Sequence, residues 1–173
     1  MQLSERVYLA IGSNIEPHVH VIRAVQMLRN KFGRVRLSPI FRTPAEGFSG
    51  DSFINLVVQF DTRFTLTELV AVLREIERRG GRRREDEVGM GSRTLDLDLL
   101  TYGDLFGVHS GVELPRPEIF ERRFVWQPLA ELMMDESPQN GVEEDVRFKV
   151  VALWHGRPNA PQGFERTYIP NIQ

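Results

Sequence analysis

A chain of 173 residues and 20.0 kDa is the size of one domain with a substantial core. Its net charge of -2 leaves no basic balance for nucleic acid or an anionic membrane, and its lack of cysteine excludes disulfides, thiolate metal sites and cysteine nucleophiles. No stretch approaches the roughly 20 apolar residues of a membrane span, and the apolar run near the start breaks after Ile11, so the expected location is the cytoplasm.

Val7 to Ile11 reads as a buried strand ended by a Gly12-Ser13-Asn14 turn. Pro17 opens a helix whose apolar stripe is Val21, Ile22, Val25, Leu28 and Phe32, and Gly33 stops it. Val35 to Phe41 is a second strand, and Thr43 to Asp51 a turn-rich loop. A third strand follows at Phe53–Phe60, where the amide of Asn55 needs partners among apolar neighbours. Thr65 and Glu68 have the spacing of a capping box, opening a helix striped by Leu66, Leu69, Val70, Leu73 and Ile76. Beyond Gly80-Gly81, the run Arg82 to Ser92 is polar and reads as a mobile loop. Leu95 to Tyr102 is a fourth strand. A turn around Pro115 and Pro117, a short helix near Val125–Met134 and a less patterned tail complete the chain. The order strand, helix, strand, strand, helix, strand predicts an α+β, ferredoxin-like antiparallel sheet with helices packed on it.

Side chains on a strand alternate faces, so Asp96 and Asp98 project together while Leu95, Leu97 and Leu99 project oppositely. Paired carboxylates repel unless a cation or proton intervenes, and oxygen-only ligation suits Mg²⁺. With Arg93 just before them and Arg82 to Arg84 a loop upstream, the parts suit phosphoryl transfer. Taken alone, Leu-Asp-Leu-Asp is more simply an edge strand with a solvated face, and the arginine run beside Glu85-Asp86-Glu87 a self-compensating surface loop. No Walker loop or GxGxxG is present, and His18, His20, His109 and His155 lack metal-site spacing.

The continuous run Gly91-Ser92-Arg93-Thr94-Leu95-Asp96-Leu97-Asp98-Leu99-Leu100 is more specific than its parts. It resembles the signature of the 6-hydroxymethyl-7,8-dihydropterin pyrophosphokinase family. VYLAIGSN near the start, FRTP at Phe41–Pro44, FINLVV at Phe53–Val58, the arginine-rich stretch at Ile76–Arg84 and ERRFVWQPLAEL at Glu121–Leu132 match in the same order. The likeness spans about residues 7 to 135, within a single expected domain over 1–173.

That resemblance implies transfer of pyrophosphate from ATP to the hydroxymethyl oxygen of a dihydropterin in folate biosynthesis, giving AMP. It implies two Mg²⁺ ions held by Asp96 and Asp98, with Arg82 and Arg93 in catalysis and the loop carrying Arg82 and Arg84 as a lid. Glu77, Arg84, Arg93, Leu99, Arg116 and Arg122 fall on the ATP side. Thr43, Pro44 and Asn55 fall at the pterin edge, and Phe53 and Phe124 around its ring. From sequence alone, plain core packing is the preferred account of both phenylalanines. The chain departs from the family at Arg116, where a histidine is usual, at Met90, where tryptophan is common, and at Ser92, where proline is. Those departures admit an alternative, a paralogue that binds pterin or nucleotide without transferring. The expected partners are the two small molecules, with no nucleic acid or membrane, and the expected state is a monomer.

Overall fold

The computed structural model describes residues 3–82 and 91–172. The chain runs β1 (Glu5–Ser13), α1 (Pro17–Phe32), β2 (Val35–Leu37), β3 (Ile40–Thr43), β4 (Phe53–Thr62), α2 (Leu66–Arg79), β5 (Asp96–Tyr102), β6 (Gly107–His109), β7 (Val112–Leu114), α3 (Glu118–Glu121), α4 (Arg123–Met133), α5 (Gly141–His155) and β8 (Glu165–Thr167). One antiparallel sheet has the order β5-β1-β4-β3-β8, with β2 also pairing β4, and β6 and β7 form a separate hairpin. The first six expected elements follow in the predicted order, the second strand divided into two.

Two apolar clusters share this sheet. Leu95, Leu97 and Leu99 face one of them, with the stripes of α1 and α2. Tyr8, Val57 and Leu100 face the other, with Val125, Leu129 and Met133 of α4 and Val146 and Val150 of α5. Burying each such side chain contributes about 1.5–3 kcal/mol. The carboxylates of β5 thus stand on the face carrying α3, α4 and α5, and β5 is an edge strand of the sheet, as its Leu-Asp-Leu-Asp pattern suggests.

The Thr65–Glu68 capping box is present, each side chain meeting the other's backbone N–H. The single strand expected over Val35–Phe41 is two strands. Pro39 has no N–H to give a ladder, and Ser38 instead bonds Val57 through its own N–H and by accepting the Val57 N–H on Oγ, at 2.9 Å each. The tail carries α5 and β8. Its buried Glu143 accepts from the Tyr8 hydroxyl at 2.9 Å, from Arg6 at 3.2 Å and from the Gln139 N–H at 2.9 Å. That acidic position interrupts the apolar stripe of α5 and conceals the helix from a periodicity reading. Of the expected mobile loop, residues 83–90, including Arg84 and Met90, lie outside the described residues.

Candidate active site

One row of paired residues crosses the sheet beneath the site: Asp96 on β5 opposite Gly12 on β1, Gly12 opposite Asn55 on β4, and Asn55 opposite Phe41 on β3. Gly12 is the bare point of that row, since a Cβ there would lie 2.9 Å from Asn55 Oδ1 and 4.0 Å from Asp96 Cβ. With Ala10, it lines the floor of a cleft of about 370 Å³. Thr43, Pro44, Phe53, Asn55, Arg93, Asp96, Asp98, Arg116, Arg122 and Phe124 line the same cleft. All five residues expected around a pterin therefore meet in one place. Asn55 is buried, and its Nδ2 donates to Thr43 Oγ1 at 2.7 Å, which supplies a partner to the amide that looked stranded on an apolar strand.

A second cleft of about 490 Å³ lies between α2 and the β6–β7 hairpin, with Arg74, Glu77, Leu99 and Glu113 among its lining residues. Asp98, Arg116 and Glu118 line both clefts, so the two cavities adjoin at the second carboxylate.

Each carboxylate faces an arginine. Arg82 Nη1 is 2.5 Å from Asp96 Oδ1 and 2.6 Å from Glu77 Oε1, and its side chain is only 6% exposed. The reading of Arg82 as part of a solvated surface run is corrected here: two carboxylates draw it inward. Glu77, 2% exposed, also accepts the Leu97 N–H at 2.9 Å and so ties α2 to the strand bearing the carboxylates. Arg116 Nη2 is 3.3 Å from Asp98 Oδ1, and its Nε is 3.2 Å from Glu118. Arg122 is exposed and pairs with Glu46 at 3.1 Å. Burial pushes the Asp98 carboxyl up to about 6, and the neighbouring Asp96 charge adds to that, with Arg116 opposing. A carboxyl so raised sits in surroundings that favour a proton or a cation.

Asn14 fixes the approach to β5. Its Oδ1 accepts the Arg93 N–H at 2.7 Å, its own N–H donates to Arg93 O at 3.0 Å, and its Nδ2 reaches Asp51 O and Ser92 Oγ. The sequence reading took Gly12, Ser13 and Asn14 only as a turn. The signal available was the pair of small residues at Ala10 and Gly12 on one strand face. Glu46, Phe48 and Glu118 at the cleft were also missed, and nothing in their spacing marks them.

Among the described residues, no three His, Cys, Asp or Glu side chains gather as a metal cluster. The available donors are the two carboxylates of β5, an oxygen-only set. That fits a cation which keeps most of its shell as water and phosphate oxygen. No helix among the described residues is long and apolar enough to cross a membrane.

The model of the 7,8-dihydro-6-hydroxymethylpterin-pyrophosphokinase (HPPK) family matches residues 8–134. A Helicobacter pylori protein named 2-amino-4-hydroxy-6-hydroxymethyldihydropteridine pyrophosphokinase is 30% identical over 134 residues, 75% of this chain and 82% of that protein. A Bacillus subtilis protein of the same name is 33% identical over 129 residues, 72% of this chain and 76% of its own. The folate synthesis bifunctional protein of Arabidopsis thaliana is 32% identical over 154 residues, and the chain covers 30% of it. In fold, the chain is similar to the crystal structure of wild-type Plasmodium falciparum HPPK-DHPS, with a TM-score of 0.64 at 11% identity, covering 98% of this chain and 49% of that one. The chain thus spans less than a third of the Arabidopsis protein and about half of the Plasmodium chain.

Proposed function

This chain belongs to the 7,8-dihydro-6-hydroxymethylpterin-pyrophosphokinase family, and on that premise we propose that it transfers pyrophosphate from ATP to 6-hydroxymethyl-7,8-dihydropterin in folate synthesis. One observation carries the reading: Asp96 and Asp98 project from β5 where the two clefts adjoin. The smaller cleft takes the pterin and the larger one the nucleotide, so the acceptor oxygen and the phosphates meet beside Asp98. Family membership favours transfer over the alternative of binding alone.

In the reaction, the hydroxymethyl oxygen bonds to the β-phosphorus of ATP and gives up its proton. The bond between that phosphorus and the oxygen bridging to the α-phosphate breaks, and AMP leaves. Asp96 and Asp98 would hold two Mg²⁺ ions, which when bound neutralise charge spreading over the phosphate oxygens. Arg82 and Arg93 stabilise the same charge from the side of the closing loop. Release of Arg82 from Asp96 frees both the carboxylate and the guanidinium for this task. Arg116, which lines both clefts, contacts phosphates with permanent charge, filling a histidine's usual place with a cation that cannot shed its proton, whereas Arg122, expected on the ATP side, lines only the smaller cleft. Glu77 and Leu99 line the nucleotide side, and Arg84, outside the described residues, is assigned to ATP by the family likeness alone.

Asn55 and Thr43 read the pterin edge, with Pro44 beside them, while Phe53 and Phe124 hold the flat ring by face or edge contact. Gly12 leaves the floor open to it.

The same proposal takes the chain as a monomer and as one domain in the cytoplasm, the single domain supported by one sheet shared between both apolar clusters and the compartment by the absence of cysteine. The decisive experiment supplies the purified chain with Mg²⁺, ATP and 6-hydroxymethyl-7,8-dihydropterin and measures AMP. Formation of AMP and the pterin pyrophosphate is expected, with loss of both in Asp96→Ala and Asp98→Ala. No AMP from the folded, unaltered chain sinks the transferase reading.

A further inference from the structure

The family match stops at residue 134, yet the chain beyond it packs back onto β3 and the start of α4, two elements that wall the pterin cleft. Three ties bring it there. The strand β8 pairs with β3, placing Ile40 opposite Thr167, Phe41 opposite Arg166 and Arg42 opposite Glu165. Phe164 packs its ring on Phe41, centroids 5.4 Å apart, and Arg166 lies over the Phe41 ring while pairing with Glu131 of α4. Arg123 donates through Nη1 to the carbonyl oxygens of Pro158 at 2.9 Å and Asn159 at 3.2 Å, and stands 5.1 Å from the centre of the Phe164 ring.

These ties connect the two walls of the cleft. β3 carries Thr43, which accepts the Asn55 amide, so one wall is β3 with β4. Arg123 immediately precedes Phe124, so the other wall is the start of α4. The contacts between β3 and α4 thus run partly through the tail, with Phe164 lodged between Phe41 and Arg123. Arg123 is itself held from its own helix by Gln127, whose Oε1 accepts from Nε at 2.8 Å, and it lies 5.5 Å from the Trp126 ring. A guanidinium that bonds two carbonyls, one side chain and two rings has little freedom left, and neither does the backbone on which Phe124 rides.

We propose that the segment from Pro158 to Thr167, moored by Arg123 and Phe164, is a clamp that fixes the separation of Phe124 from the Thr43–Asn55 wall and so sets the affinity for the pterin. Arg123 is a positioning residue in this scheme; it acts through Phe124. The inference rests on the pterin reading of the smaller cleft. Tail residues line neither cleft; the clamp acts on the smaller one through Thr43, Asn55 and Phe124, none of which lines the larger cleft, so nucleotide binding is independent of it.

The test uses the full chain and two substitutions, Arg123→Ala and Phe164→Leu, the second keeping an apolar side chain while removing the ring. Binding of 6-hydroxymethylpterin is followed by fluorescence, and binding of Mg²⁺ with a non-hydrolysable ATP analogue by calorimetry. Both variants should bind the pterin about tenfold more weakly, because a slot that must be ordered on binding loses affinity. The ATP analogue should bind within about twofold of the unaltered chain, and the loss in turnover should appear in KM for the pterin rather than in kcat. Arg123→Lys, which keeps a cation and one donor, should recover part of the affinity. Melting curves establish that each variant is folded; should Arg123→Ala fail to fold, Phe164→Leu and Arg123→Lys carry the comparison. Pterin affinity unchanged in folded variants overturns the clamp and leaves the cleft reading standing. Equal losses for pterin and nucleotide also overturn it. Failure of the unaltered chain to bind the pterin at all defeats the cleft reading itself.

Discussion

Glu77→Ala removes a carboxylate that is 2% exposed and serves two donors, the Leu97 N–H at 2.9 Å and Arg82 Nη1 at 2.6 Å. An orphaned buried backbone N–H costs about 1–3 kcal/mol. Breaking a buried ion pair costs about 3–5 kcal/mol, and the lower end applies because Arg82 keeps Asp96 as a partner. The two losses overlap at one oxygen, so the expected total is about 3 kcal/mol rather than their sum. Glu77→Gln retains an acceptor for the Leu97 N–H and should cost about 1 kcal/mol. Urea unfolding measures both, with the midpoint of the alanine variant lowered by about 1.5 M at an m-value of about 2 kcal/mol/M. Turnover should fall more than nucleotide affinity in the glutamine variant, since Arg82 loses its charged anchor while β5 keeps its acceptor and the cleft its shape. A loss under about 1 kcal/mol in Glu77→Ala would refute the claim that this carboxylate holds the strand.

The raised Asp98 carboxyl gives a signed pH dependence. Between its ordinary value of 3.8 and about 6, the folded chain holds a proton that the unfolded chain has released. Its stabilising contribution is therefore complete below the ordinary value and is lost as pH rises through about 6. After discounting for solvent screening at a partly exposed group, the loss is about 1 kcal/mol in metal-free protein. Melting curves from pH 4 to 7.5 should fall less steeply for Asp98→Asn than for the unaltered chain; parallel profiles would remove the basis for this. Gly12→Ala places a methyl 2.9 Å from Asn55 Oδ1 and should weaken pterin binding about tenfold or more while leaving ATP-analogue binding intact. Equal pterin affinity in that variant would show that the floor is not a contact surface. Arg116→Gln should lower affinity for the ATP analogue about tenfold to 150-fold, the range for losing one charged hydrogen bond partner, and calorimetry showing no loss would dismiss Arg116 as a phosphate contact.

Period-two alternation was enough to place Asp96 and Asp98 on one face and three leucines on the other, because both faces of β5 meet different surroundings. The Thr65–Glu68 box was legible for a similar reason: capping is local and has a fixed spacing. Arg82 was not, since charge runs read as solvated and the two carboxylates that draw it inward stand 5 residues before it and 14 after. The division of β2 from β3 turned on Pro39 and on Ser38 bonding across to Val57, a contact between residues 19 apart. Phe124 reads from sequence more simply as core packing, and only the start of α4 at the cleft places it in the site lining. The tail escaped because β8 is three residues long and α5 buries a glutamate.

A strand at the margin of a sheet offers its outer row of amides and carbonyls to any extended chain, including another copy of itself. β5 is such a strand, rich in leucine, yet parts of that row are already engaged: Glu77 takes the Leu97 N–H, and the Arg116 N–H takes the Leu100 carbonyl at 2.9 Å. The side chain that anchors Arg82 thus also blocks strand addition. Loss of Glu77 would expose a sticky edge along with a damaged site, so aggregation during expression should accompany inactivity in variants at this position.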